Sequence, residues 1–371
     1  MRDFIVDRLQ QHMAATAMDG IVCLSPENFA YVSGFVVPSQ PLMRWRHAAV
    51  VVPAQGAPAY LTVDMEESTV AAKANGSLVR SWGEFTDSAM EVLANLLSEL
   101  GLGTATLGIE MDYLPAGDYQ TLSSKLPGAV LCPVQDELAR LREVKTGEEI
   151  ELLRRLARLA DASIADALAD VRPGSTEMDI AAGLTRNIYA RGADDFKLMI
   201  VATGERSVFP NVGPTMRKLR PGDICRVEIF AVVDGYHAGV CRTARVGHSP
   251  PHADAIWKNL VESKYEVLEM IKPGASTREI YETFLRRLSR LDLPPISFVG
   301  HGIGLHLHEE PYLGKYSDEP LQSGMVLGIE PLVYDTGYGF GMQNKDIVLV
   351  TDTGSELLSD VTDTDSLLTV S

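Results

Sequence analysis

Residues 226–247, RVEIFAVVDGYHAGVCRTARVG, decide how this chain is read. Two β-branched runs flank Asp234-Gly235, a dipeptide suited to a two-residue type I′ turn because both of its central positions need positive φ. That turn fixes a register. Phe230 faces Gly239, Glu228 faces Cys241, and all four share one face of the hairpin because strand side chains alternate. A carboxylate among apolar neighbours on a covered face is costly unless it is paired, so Glu228 is the first candidate site residue. The plainer alternative is an edge-strand glutamate reaching water.

The chain around this hairpin has 371 residues, 46% hydrophobic and 22% charged, enough for two domains with cores of their own. A formal charge of −17 repels phosphate backbones and anionic membrane surfaces, so neither nucleic acid nor membrane is expected as a partner. Cys23, Cys132, Cys225 and Cys241 are scattered, without the density of a disulfide scaffold, and imply reduced thiols in a cytoplasmic protein. The opening MRDFIVDRLQQHMAATAMDG has helical spacing and lacks the apolar core of a signal peptide. No run is long enough to span a membrane.

Upstream, GIVCLS (20–25), HAAVVVP (47–53), YLTVD (60–64) and TLGIEMD (106–112) read as strands, and residues 86–100 have the apolar spacing of an amphipathic helix. These elements predict a small α/β domain over residues 1–142. A capping box in Thr146-Gly-Glu-Glu149 opens the second domain, residues 143–371. There RPGSTEMDI (172–180) and KPGASTREI (272–280) repeat one plan: a basic residue, Pro-Gly, small polar cap residues, an acid and Ile. Two such units imply an internal pseudo-two-fold whose halves supply helices to cover one curved sheet.

Downstream, His301 lies in Gly-His-Gly, followed by His306 and His308, a pattern that suggests acid-base or metal chemistry without matching a standard zinc spacing. Glu330 interrupts the apolar run 325–332, and Lys345 and Asp346 enter a β-branched strand, where they offer an ion pair. In the first domain, QPLMRWRH (40–47) is a loop with Trp45 and Arg46, a stretch able to reach a neighbouring site.

The ordered segments GDICRVEIFAVVDGYHAGVCRT, GHGIGLHLHEEP, GMVLGIEPLVY and NKDIVLVTDTG are similar to the signature segments of the family of aminopeptidase P, prolidase and creatinase. The resemblance covers nearly the whole chain, including SPENFAYVSGF (25–35) in the small domain. It implies an α/β (α+β) protein with a C-terminal pita-bread domain, a pseudo-two-fold curved antiparallel sheet covered by helices. Family metallopeptidases hold two metal ions with two Asp, one His and two Glu. The matching positions here are Glu228, Gly239, His301, Glu330 and Lys345, so Gly239 lacks a side chain and Lys345 places an ammonium where a carboxylate is needed. Repulsion between that ammonium and a dication amounts to several kcal/mol.

These departures resemble the metal-free branch that includes creatinase and the ectoine hydrolases. The resemblance places Asn211 at the creatinase histidine, Cys241 at its guanidinium-binding acid, and Arg46 at an arginine that reaches the substrate carboxylate from a dimer partner. The expectation is a cytoplasmic homodimer that cleaves a C–N bond of a small zwitterionic amidine, amide or dipeptide-like compound without metal or other cofactor. His301, Glu330 and Glu228 are its expected catalytic residues. Trp45, Arg46, Asn211, Phe230, Cys241, His308 and Lys345 are its expected substrate contacts. Two alternatives stand beside it: an Xaa-Pro dipeptidase or aminopeptidase with one divalent metal on Glu228, His301 and Glu330, and a non-catalytic ligand-binding member.

Overall fold

A computed structural model describes residues 3–371 as two compact units, one ending at Leu141 and one formed by Arg142–Ser371. The first runs α1 (Asp3–Thr16), β1 (Gly20–Cys23), α2 (Pro26–Ser33), β2 (Ala49–Pro53), β3 (Ala59–Val63), α3 (Glu67–Lys73), β4 (Val79–Trp82), α4 (Ala89–Glu99), β5 (Thr106–Ile109), α5 (Ala116–Lys125), β6 (Val130–Pro133) and α6 (Gln135–Glu143). Its strands form one six-stranded mixed sheet in the order β4-β3-β2-β1-β5-β6. The β-branched runs became β1 to β3 as expected, each wholly buried, which is why they read as continuous apolar stretches rather than alternating ones. The strand β4 had no such signal, because VRSW is an edge strand and only Trp82 is buried.

The second unit begins with α7 (Gly147–Ala169), α8 (Glu177–Ala190), β7 (Asp195–Thr203), β8 (Ile224–Val233), β9 (Tyr236–Val246), α9 (Ala253–Met270) and α10 (Thr277–Ser289). It continues with β10 (Phe298–Gly302), β11 (Glu309–Gly314), β12 (Val326–Ile329), β13 (Leu332–Val333), β14 (Met342–Gln343), β15 (Asp346–Val350), β16 (Ser355–Leu357) and β17 (Leu368–Val370). The capping box of Thr146 and Glu149 opens α7, satisfying two amides that the helix start leaves free.

The repeat is real in the fold. Thr176 caps α8 and Ser276 caps α10. Before each cap the chain makes the same pair of bonds to a partner strand segment, Gly174 N to Leu219 O and Leu219 N to Ser175 O in one half, Gly274 N to Leu321 O and Leu321 N to Ala275 O in the other. Two half-sheets follow the two helix pairs, β17-β9-β8-β7 and β11-β10-β12-β15-β16, antiparallel throughout except for the short terminal β17 alongside β9. They join at the centre, where the backbones of Cys241 in β9 and Lys345, just before β15, exchange bonds of 3.2 and 3.3 Å. Among the described residues no helix is long and apolar enough to cross a membrane.

Candidate metal centre

The hairpin that organises the sequence forms in the predicted register. Asp234 and Gly235 both have positive φ, at 49° and 83°, and Phe230 pairs with Gly239 and Glu228 with Cys241. Glu228 is 4% exposed, so it is a buried carboxylate and not an edge residue. Its partner is Lys345, whose Nζ lies 3.2 Å from Glu228 Oε1, 3.4 Å from Glu330 Oε1 and 3.2 Å from His301 Nε2. The Lys345 ammonium also sits 4.5 Å from the centre of the Phe230 ring, a cation-π contact. The anticipated pair between Lys345 and Asp346 does not form, because neighbours along a strand face opposite ways. Asp346 pairs on the far side with Arg242 and Lys264.

Gly328 makes this convergence possible. It lies opposite His301 in β12, and a Cβ there would come within 3.2 Å of both the His301 ring and the Lys345 side chain. His301 Nδ1 is 2.7 Å from the carbonyl oxygen of Gly302 and must donate to it, so in the neutral ring the lone pair is on Nε2, which faces the centre. That is the tautomer a metal-ligating histidine needs. The His308 ring stacks on His301 with centroids 3.7 Å apart. Withdrawal of its stacked face from water, with His301 and the Lys345 ammonium beside it, holds the His308 imidazole down at about 4, neutral and able to ligate at neutral pH. Burial pushes the Glu330 carboxyl up, but Lys345 and His301 outweigh that and bring it to about 2. Burial likewise opposes the Lys345 charge, and Glu330 and Glu228 hold it above its usual range.

His301, His308 and Glu330 each bring one ligand atom to within 4.8 Å of the others. Two imidazoles and one carboxylate are the donor set of a catalytic divalent ion with an open position. Glu330 Oε1 is buried and turned to the centre, 3.1 Å from His301 Nε2 and 3.4 Å from the Lys345 ammonium. This donor set suits one divalent ion once the Lys345 ammonium, 3.2 Å from His301 Nε2 and 3.4 Å from Glu330 Oε1, is displaced. Two do not fit, because Gly239 has no donor and Lys345 brings a positive charge to the second position. Glu228, expected in the one-metal alternative, is outside the donor group and is held by Lys345; His308 takes its place.

Of the remaining candidates, only Cys241, opposite Glu228 in the hairpin, borders this cluster. Cys241 is wholly buried, and burial and Glu228 push its thiol well above the ordinary range, which leaves it inert and neutral. Asn211 is exposed on the loop after a short 3-10 turn, Gly204–Val208. Trp45 and Arg46 belong to the first unit, where Arg46 donates twice to Glu84 at 2.8 Å and Trp45 is 63% exposed.

Residues 151–352 match metallopeptidase family M24, and residues 5–144 match the creatinase/prolidase N-terminal domain. The chain belongs to metallopeptidase family M24. Among its M24 relatives, the probable dipeptidase PepE of Mycobacterium tuberculosis is 31% identical over 94% of this chain and 92% of its own. The Xaa-Pro dipeptidase of Pyrococcus furiosus is 27% identical over 95% and 97%. The crystal structure of dipeptidase PepE from Mycobacterium ulcerans superposes with a TM-score of 0.83 at 27% identity, over 99% of this chain and 97% of that one. Two expectations are thereby corrected. Membership of a metallopeptidase family with dipeptidase relatives overturns the metal-independent amidine hydrolase. The same membership and the donor group of His301, His308 and Glu330 overturn the expected absence of a cofactor. Sequence reasoning weighed Lys345 against metal but did not see that the stacked His308 completes a donor set.

Sequence reasoning also passed over Glu309. Its carboxylate accepts from Lys145 Nζ at 2.9 Å, from Arg142, and from the amides of Leu305 and His306, and so fixes the turn that carries His308. Burial pushes this carboxyl up, and Lys145 and Arg142 outweigh it and bring it to about 2. An acid immediately after the histidine-rich turn was the available signal.

Proposed function

We propose that this chain is a dipeptidase that hydrolyses the peptide C–N bond of a small dipeptide, of the Xaa-Pro class, with one divalent ion on His301, His308 and Glu330. The convergence of these three donors within 4.8 Å, in a chain of a metallopeptidase family, carries the reading. When bound, the ion would polarise the scissile carbonyl and make a water acidic enough to attack. The chain's own residues do the rest. His301 is fixed in the ligating tautomer by Gly302, and Glu330 presents Oε1 to the centre. Glu228, buried beside Lys345, takes the proton of the attacking water and returns it to the leaving nitrogen, which a proline imide needs in order to depart. The Phe230 ring closes the apolar side of the site, and Cys241 supplies a small neutral wall beneath it.

The same proposal takes residues 1–142 as the N-terminal domain and 143–371 as the catalytic domain of a cytoplasmic homodimer, a location with which its four free thiols agree. Asn211, Trp45 and Arg46 act as substrate contacts. Arg46 does so by exchanging Glu84 for a substrate carboxylate. The test is an assay of metal-stripped protein against Gly-Pro, Ala-Pro and Leu-Pro and their non-prolyl counterparts, before and after adding manganese, cobalt or zinc. Turnover that needs the ion and is lost in His308→Ala and Glu330→Gln is expected. No turnover of any dipeptide with any ion overturns the reading.

A further inference from the structure

Arg226 is wholly buried and lies on the same hairpin face as Glu228, because the two are separated by one strand repeat. Its Nη1 donates to Gln343 Oε1 at 2.9 Å, and its Nη2 donates to the carbonyl oxygens of Pro210, at 2.9 Å, and Phe209. A guanidinium has donors only, so it forces the Gln343 side chain to turn its oxygen inward. The amide nitrogen then points the other way, and Gln343 Nε2 donates to Glu330 Oε2 at 2.8 Å. Because an amide NH2 can only donate, Glu330 Oε2 must be a bare acceptor, and Oε1 is left for His301 and Lys345 at 3.1 and 3.4 Å. The backbone of Gln343 is held as well, its nitrogen by Thr243 Oγ1 at 3.2 Å and its oxygen by the same hydroxyl at 2.8 Å.

The other end of the network is a loop. Phe209 and Pro210 precede Asn211, and the segment is anchored behind them by the buried Glu177, which accepts from Thr203, Arg206 and Thr215. Glu177 fixes the two ends of the segment, and Arg226 fixes its middle. Phe209 is half exposed, as expected of a loop held by its backbone and not by its side chains.

We propose that Arg226 and Gln343 are positioning residues that tie the aim of the Glu330 carboxylate to the seating of the 204–211 loop. The seat of Phe209 and Pro210 on Arg226 is thereby relayed through Gln343 to the ligand oxygen. The inference rests on the assignment of Glu330 to the metal centre, and deepens it. Single and double variants Arg226→Lys and Gln343→Leu test it, with manganese affinity by calorimetry and amide hydrogen exchange over residues 204–215 as readouts, alongside melting temperature. Each single variant should weaken manganese binding about tenfold and speed exchange in the loop, and the double variant should be no worse than the weaker single one, since the two act in series. Additive losses, or unchanged loop exchange in Gln343→Leu, overturn the coupling. Gln343 makes no bond to the loop itself, and its strand touches the segment only at the 3-10 turn, where Gly341 N donates to Ser207 Oγ at 3.0 Å, so exchange over residues 209–215 is the readout that a purely structural role would not move. Absence of dipeptide turnover in the parent defeats the dipeptidase reading alone. If the parent binds no manganese, loop exchange in Gln343→Leu decides the coupling.

Discussion

Lys345 Nζ and His301 Nε2 lie 3.2 Å apart at the centre of the second unit, an ammonium facing the nitrogen that a metal ion would use. Two unit charges 4 Å apart repel by about 4 kcal/mol at an effective dielectric constant of 20, and a divalent ion roughly doubles that. Loading the site therefore has to move the Lys345 ammonium aside. Lys345→Met should bind manganese at least tenfold more tightly than the parent by titration calorimetry. Without metal it should melt lower, because Glu228 and Glu330 lose their counter-charge, and added metal should restore the loss. Equal affinity and equal melting in the two proteins would show that Lys345 does not compete.

The hairpin register also governs what can be rebuilt. A Cβ at Gly239 would run into the Phe230 ring, which stands opposite it in the pairing. Gly239→Asp should destabilise the protein by about 1–3 kcal/mol through overpacking, read by urea denaturation, and should gain no second metal while Phe230 stays. A Gly239→Asp variant as stable as the parent would mean that the ring moves freely.

Much of this was legible in the sequence, and the reasons differ from residue to residue. The Asp234-Gly235 turn fixed the pairing of Glu228 and Phe230, because turn geometry and a period of two leave no freedom. The repeat at 172–180 and 272–280 announced the pseudo-two-fold, since each copy is a capped helix start. The resemblance placed Lys345 in one site with Glu228 and Glu330, where they meet, whereas the pair with Asp346 read from the strand alone does not form. What stayed hidden depends on contacts distant in sequence or on which way a side chain turns. The stacking of His308 on His301 requires the irregular turn between β10 and β11, and no periodicity encodes it. Gln343 looked like an ordinary polar strand residue until Arg226, 117 positions earlier, dictated its orientation.

Glu309 holds the turn that carries His308, so its loss should be felt twice. Glu309→Gln keeps the shape but leaves the Lys145 ammonium, 1% exposed at its side chain, without the carboxylate it faces. Breaking one side of a buried ion pair typically costs about 3–5 kcal/mol. The variant should unfold at correspondingly lower urea and bind manganese more weakly than the parent, because His308 loses its support. Loss of stability with unchanged metal affinity would show that the turn holds His308 without Glu309.

His237 predicts how the fold responds to acid. Its ring is buried beside the turn, with Nδ1 3.2 Å from Gly304 O, and burial, only partly opposed by that bond, brings the imidazole down from 6.5 to about 4. A base whose folded value is depressed contributes stability in full above its unfolded value. As the pH falls from 6.5 towards 4, the unfolded chain takes up a proton that the folded chain refuses, so stability declines through that window and levels off below it. At about 1.4 kcal/mol per unit, the contribution is roughly 3 kcal/mol. His308 is depressed to about 4 in the same direction, so the parent curve contains both residues, and the difference between parent and His237→Asn isolates one. Melting temperature measured from pH 7 to pH 4 should fall less steeply in the variant, even if the variant starts lower. Parallel curves would mean that His237 is protonated within the fold and that its ring reaches water.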